Sequence, residues 1–456
     1  MALGEQQLQQ LAEIVGDAHV LTDADQLASY QVDWTGRYQG QAPAVVRPGS
    51  TDQVAGVVQW CRQHLHALVP QGGNTGLAGG SVPLHGELVM SLQRFNRIDP
   101  VDMDNRSVTV GAGVTLAAAQ SAARAVGLRY TLDLGARDSA TIGGTVATNA
   151  GGINFIRFGG ARAQLLGIEA VLGTGQVISD LRGLAKDNTG YWLPGLLCGS
   201  EGTLGVITAA TLRLRPLPQA SSTALVGFDS IDNALAAAAQ WTAAADCIES
   251  LELMLDSGVD LVCRTMQLPA PISVDAACYL LVEMAGSDEV VQQLGAVVHA
   301  SVGVVDAAVA GSAAQRRALW RYRDEHTMAI ARCGVPHKMD VTVPLVRMAA
   351  FLAEVPARVA ALDPAAQTWM FGHVGDGNIH VNVTGFVDNG QRIELAVLQY
   401  VADIGGSISA EHGIGTAKTG QLALRRSPEE IAVMRSIKAA FDPDGVLNPW
   451  VMLAPV

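Results

Sequence analysis

Residues 70–83 read PQGGNTGLAGGSVP. The apolar stretch LVP at 68–70 just before reads as a strand, so a strand runs straight into a glycine-rich loop. In Gln71-Gly72-Gly73-Asn74-Thr75-Gly76 the glycines let successive backbone N–H groups turn toward one point, which makes an anion nest without a lysine. The dinucleotide fingerprint GxGxxG is absent, because Gly73 to Gly76 has the wrong spacing. Walker A is absent too; in its nearest approximation, GIGTAK at 413–418, alanine precedes Lys418. The alternative for 71–80 is a plain surface loop, but so many glycines with no helical continuation favour close approach of a ligand.

Two more small-residue stretches follow, IGGTVATNAGG at 142–152 and GSEGTLGVIT at 199–208. Three such segments in one domain suit an extended ligand such as a dinucleotide. Glycine is 49 of 456 residues, and the excess sits at 72–80, 143–160, 199–205 and 372–377. The length implies two or three domains. Apolar residues are 49% and charged residues 16%, which excludes a disordered or coiled-coil chain. The net charge of −13 argues against nucleic acid or anionic membrane as the main partner. Six cysteines with no CxxC spacing read as buried, reduced thiols. The start, MALGEQQLQQLAEIVG, reads as a polar amphipathic helix without the basic and apolar regions of a signal peptide. No transmembrane stretch is visible, so a cytoplasmic location is expected.

Strands are expected at 43–47, 68–70, 87–92 and 107–113, with a helix capped by Ser50 or Thr51 and another at 116–127 closed by Gly127. Two strands should flank the turn Gly173-Thr174-Gly175, and 206–218 alternates before its prolines. Past Pro218 the pattern over 224–310 is βαββαβ, followed by one basic helix at 315–334. Strands at 338–343 and 367–371 flank a helix at 346–361. Domain boundaries fall near 218 and 410.

The second dense signal is GHVGDGNIHVNV at 372–383. Ile379, Val381 and Val383 alternate with His380, Asn382 and Thr384, so a strand here buries the apolar set and aims the polar set at one cavity. A glycine-rich bend can fold His373 back toward His380, and SAEHGIG at 409–415 adds Glu411 and His412. Two histidines and a glutamate make an open zinc set, although HxxxxxxH is no standard metal motif and each histidine alone reads as structural. The basic helix carries Arg316, Arg317, Arg321, Arg323 and Arg332, read mostly as a solvated face. Arg323 and Thr327 share a face at i,i+4, and Lys338 lies on the next strand.

Taken in order and spacing, PQGGNTGLAGGSVP, IGGTVATNAGG and GSEGTLGVIT resemble the flavin-binding domain of the vanillyl-alcohol oxidase superfamily. GHVGDGNIHVNV and SAEHGIG resemble the D-2-hydroxyacid dehydrogenases within it: D-2-hydroxyglutarate dehydrogenase, D-lactate dehydrogenase and the glycolate oxidase D subunit. The resemblance implies an α+β fold. A two-subdomain FAD-binding domain (1–218) is followed by an α+β substrate-binding cap with an antiparallel sheet (219–410). The segment 411–456 returns through a helix to the flavin. By resemblance Gln71, Gly72, Gly73, Asn74, Thr75 and Gly76 hold the FAD pyrophosphate. Gly135, Ser139, Gly143, Gly144, Asn149 and Gly152 line the flavin, and Glu201, Ile207 and Asn448 contact other parts of the cofactor. Residues 70–82 and 133–160 contain no histidine or cysteine, so FAD should be noncovalent.

The same resemblance assigns zinc to His373, His380 and Glu411, and the general base, facing substrate, to His412. Substrate binding falls to Arg323, Thr327, Lys338 and Asn382. The implied reaction oxidises a D-2-hydroxy acid to the 2-oxo acid by hydride transfer to flavin N5. D-2-hydroxyglutarate is favoured by the Arg/Thr/Lys triplet and by Asp33-Trp34. D-Lactate, glycolate and D-malate are the alternatives, and a flavin-carrying electron-transfer subunit without a substrate site is the alternative of another class. Expected partners are the small-molecule acid and an electron acceptor, whether electron-transferring flavoprotein, quinone or cytochrome. A homodimer is allowed for.

Overall fold

A computed structural model describes residues 3–387 and 390–454. The chain divides into two compact units. The first comprises residues 1–152, 159–217 and 411–456, and the second 153–158 and 218–410. Residues 153–158, N-terminal by sequence, thus belong to the second unit. Their anchor is Arg157, whose Nη1 donates to Glu249 Oε1 and to the Ala285 carbonyl, both at 2.6 Å.

The first unit holds two four-stranded sheets. One contains β1 (Val20–Leu21), β2 (Val45–Val46), β3 (Leu68–Gln71) and β4 (Leu88–Ser91), in the order β1-β2-β4-β3. β4 runs parallel to both β2 and β3. The Thr51–His64 helix connects β2 to β3, and Ser50 is its cap, its side chain accepting from the Gln53 N–H. The second sheet joins β5 (Ser107–Gly111), β7 (Leu165–Leu172), β8 (Val177–Asp180) and β9 (Gly205–Arg213) in the antiparallel order β5-β9-β7-β8. β6 (Leu128–Arg129) and β10 (Arg215–Pro216) form a short ribbon. The alternation expected along 206–218 is not kept: β9 lies between β5 and β7 and is buried almost throughout. Both sheets share one apolar core with the Thr51–His64 and Leu116–Ala125 helices.

The second unit is built on a seven-stranded antiparallel sheet. Its strands are β11 (Ala220–Phe228), β12 (Ile248–Leu255), β13 (Cys278–Gly286), β14 (Val304–Val309), β15 (His337–Thr342), β16 (Gln367–His373) and β17 (Asn378–Thr384), in the order β14-β11-β13-β12-β16-β17-β15. Three expectations need correction here. A helix, Asp256–Met266, lies between β12 and β13, buried through Val259, Leu261 and Val262. The basic helix is also not continuous but breaks at Glu325 into Ala313–Asp324 and His326–Ala331. At the break His326 Nδ1 lies 2.7 Å from the Tyr322 carbonyl, the acceptor that a continuous helix would offer to the His326 N–H. Arg323 and Thr327 therefore stand on two successive helices. All six cysteines are free; Cys61, Cys198 and Cys278 are buried as expected, but Cys247 and Cys263 are half-buried and Cys333 is exposed. No helix among the described residues is long and apolar enough to cross a membrane.

Candidate active site

In the first unit the glycine loop presents backbone groups. From Gly72 to Ser81 no backbone N–H donates to another part of the described chain. Side chains hold this half-buried loop open. Gln71 Nε2 donates to the Tyr30 and Ser81 carbonyls at 2.9 and 2.8 Å. Asn74, at φ +53°, donates to the Val32 carbonyl at 2.8 Å and accepts from Ser81 Oγ at 2.9 Å. Glycine is required where the loop meets the second small-residue stretch, since a Cβ on Gly72 would strike Thr141 Oγ1 and one on Gly73 the Ser139 carbonyl oxygen. Gly76 and Gly135 face open space. A row of uncommitted N–H donors beside such room fits the diphosphate of a dinucleotide.

Several residues expected to touch the cofactor have their side chains engaged elsewhere. Asn149 Oδ1 accepts from the Arg162 N–H at 3.0 Å. Ile207 packs its side chain into the core. Asn448 Nδ2 stitches the Gly80 and Glu201 carbonyls together at 3.0 and 2.8 Å. Glu201, whose carboxyl is pushed up by burial, accepts from the Ile414 and Gly415 N–H groups at 2.8 and 2.7 Å. Glu411 Oε1 accepts from the Gly152 N–H at 2.7 Å. These two carboxylates thus pin both sides of His412. Gly143 packs on Ala112, Gly144 on Thr141 and Gly152 on the Asp133 carbonyl. Thr75 is half-buried and Ser139 exposed. Asp33 organises its own loop by accepting from the Tyr38 N–H at 2.9 Å, and Trp34 is exposed.

In the second unit the candidate side chains gather on one sheet face. Register places Lys338 opposite Asn382, Asp340 opposite His380, Phe371 opposite His380, and Glu252 opposite His373. Directly paired residues point to the same side, so these residues share a face. The β16–β17 hairpin brings His373 and His380 together, with ring centroids 5.3 Å apart. Each imidazole has a buried carboxylate at Nδ1, Glu252 at 2.6 Å for His373 and Asp340 at 3.3 Å for His380. Arg323 Nε donates to Glu252 Oε2 at 2.5 Å, and its guanidinium lies 4.7 Å from the Phe371 ring centroid. Burial pushes the Glu252 carboxyl up, but His373 and Arg323 outweigh it and bring it down to about 2. His326, also against Phe371, is driven down to about 3 by burial. Asn382 is only 5% exposed, and its buried Nδ2 has no hydrogen-bond partner among the described residues. A buried orphan donor of this kind calls for a ligand.

Glu252, Asp340 and Glu283 are absent from the sequence reading. The signal for Glu252 was a charged residue inside the apolar strand LELML, and for Asp340 the same inside KMDVTV. Arg316, expected on a solvated face, clasps buried Glu283 at 2.5 Å. Arg317 and Arg321 are exposed as expected.

Residues 217–451 match the family described as FAD linked oxidases, C-terminal domain, and residues 42–180 match the FAD binding domain. The D-2-hydroxyglutarate dehydrogenase of Xanthomonas citri pv. viticola is 38% identical over 96% of this chain and 95% of its own. The mitochondrial D-2-hydroxyglutarate dehydrogenase of Bos taurus is 36% identical over 97% of this chain and 82% of its own. Substrate-bound p-cresol methylhydroxylase shares the fold, with a TM-score of 0.78 at 18% identity over 98% of this chain and 96% of its own. The FAD-binding match and the uncommitted loop donors agree on the cofactor, and the fold is the one shared with p-cresol methylhydroxylase. The chain belongs to the FAD-linked oxidase family, in its branch of FAD-dependent D-2-hydroxyacid dehydrogenases.

Proposed function

We propose that this chain oxidises D-2-hydroxyglutarate to 2-oxoglutarate, using FAD and a divalent cation, zinc first. The observation that carries the reading is the shared sheet face of Lys338, Asn382, His373 and His380, with Arg323 clasped against it. Relatives named for this substrate support it at 38% and 36% identity. FAD, when bound, supplies the acceptor for the C2 hydride. A divalent cation, when bound, lowers the pKa of the substrate's α-hydroxyl.

The chain's own residues do the rest. Arg323 grips a carboxylate through its Nη groups, since Nε is committed to Glu252. The Glu252 contact ties Arg323 to His373, which favours the carboxylate next to C2. Lys338 supplies a second positive charge, suited to a diacid, and Thr327 a hydroxyl. Asn382 Nδ2 donates to a substrate oxygen. His373 and His380, with Nδ1 turned to carboxylates, would offer Nε2 to the cation, and Glu411 would complete the set. His412 takes the proton from the α-hydroxyl oxygen.

Turnover of the isolated chain with a dye acceptor tests this. Activity should be highest with D-2-hydroxyglutarate, lower with D-lactate, D-malate and glycolate, and absent with L-2-hydroxyglutarate. Preference for D-lactate would reassign the substrate. No turnover of any hydroxy acid would leave a flavin-carrying electron-transfer subunit.

A further inference from the structure

We propose that Glu252 is a positioning residue that sets the aim of Arg323 and His373 together, through one carboxylate. The inference rests on the reading of Arg323 as the substrate's cation and His373 as a metal ligand. Glu252 is fully buried on β12, between β13 and β16. Its two oxygens are divided: Oε1 accepts from His373 Nδ1 at 2.6 Å and Oε2 from Arg323 Nε at 2.5 Å. A planar group fixed on an interior strand therefore orients a ring on the neighbouring strand and a guanidinium on the covering helix. The His373 contact places the ring proton on Nδ1 and leaves the Nε2 lone pair for a cation. The Arg323 contact, with Phe371 beneath the guanidinium, leaves the Nη groups for a substrate carboxylate.

The molecule contains its own control. Seven residues earlier, on the same helix, Arg316 clasps Glu283 of β13 at 2.5 Å. Glu283 also accepts from Trp320 Nε1 at 2.9 Å and Thr223 Oγ1 at 2.8 Å. The partners of Glu283 here, Arg316, Trp320 and Thr223, are assigned to neither substrate nor metal, so this clasp serves as the helix-docking comparison. The two clasps share a helix face, since seven residues complete nearly two turns.

Glutamine at 252 is nearly isosteric but has one acceptor oxygen in place of two. Its NH2 group must either face the Arg323 Nε–H or force His373 into the other tautomer, with the proton on Nε2. E252Q and E283Q are compared as holoenzymes. The readouts are melting temperature, KM, the Kd of 2-oxoglutarate by perturbation of the flavin spectrum, and zinc affinity by chelator competition. Both variants should melt earlier. Only E252Q should raise KM and the 2-oxoglutarate Kd, and it should weaken zinc by roughly 10- to 100-fold. Should E252Q fail to fold, E252D keeps both acceptors but withdraws them by a methylene, and the same shifts are expected of it. Matching KM, Kd and zinc affinity in E252Q, or in E252D where that is the variant used, and E283Q would overturn the proposal and make Glu252 a second docking clasp. If R323K and H373A themselves leave Kd and zinc affinity unchanged, the underlying site reading fails instead.

Discussion

The two units present their chemistry in opposite ways. In the first, backbone N–H groups of residues 72–81 stay uncommitted while the side chains of Gln71, Asn74, Glu201 and Asn448 are spent on bracing. In the second, the backbone is committed to sheet pairing, and the side chains proposed for the chemistry, those of Arg323, His373, His380 and Asn382, gather about one sheet face. The contrast suits the two ligands. A dinucleotide common to many enzymes can be held by the main chain, whereas a small diacid must be recognised by charge and shape. It follows that the glycine loops and the sheet face should fail separately.

The largest effect is expected in the second unit. His380→Ala should cost several kcal/mol of charge stabilisation, roughly a thousandfold or more in turnover, with FAD content unchanged. Loss of flavin in that variant would break the contrast. Gly73→Ala should do the reverse. Its Cβ meets the Ser139 carbonyl, so the two small-residue stretches must part, and the purified chain should carry little flavin while keeping its fold. Full flavin content would mean the loops tolerate separation. Arg323→Lys keeps the charge but loses the Nε contact and the bidentate grip. It should weaken catalysis by roughly 1.5–3 kcal/mol, on the order of 10- to 150-fold. Equal losses with D-lactate and D-2-hydroxyglutarate would place Arg323 at the carboxylate next to C2, and a loss confined to the diacid would move it to the distal one.

The smallest effect is on stability against pH. The Glu252 carboxyl lies at about 2, below its ordinary 4.5. A carboxyl lowered on folding contributes stability that is complete above its unfolded value and is lost as pH falls toward the folded one. The difference in melting temperature between wild type and E252Q should therefore shrink as pH drops from about 5 toward about 3. A constant difference would show that the charge of Glu252 adds nothing to its clasp.

The glycine stretches were legible because glycine is the only residue that fits Gly72 against Thr141 and Gly73 against Ser139, so composition records geometry directly. The His373–His380 hairpin was legible from its period of two. The break at Glu325 was not, because it depends on a side-chain contact, His326 with Tyr322, that competes with the helix. Glu252 and Asp340 were hidden for a different reason. Each sits in an apolar strand where a carboxylate is costly, and only pairing across strands reveals what offsets that cost.

The most direct test of the division is a single-turnover experiment on the His380→Ala variant. Purified protein is mixed anaerobically with D-2-hydroxyglutarate, and flavin absorbance is followed. Wild-type flavin should bleach, while the variant should carry equal FAD that stays oxidised over the same interval. Bleaching at the wild-type rate, or a variant isolated without flavin, would contradict the assignment of substrate chemistry to His380 and of cofactor binding to the glycine loops.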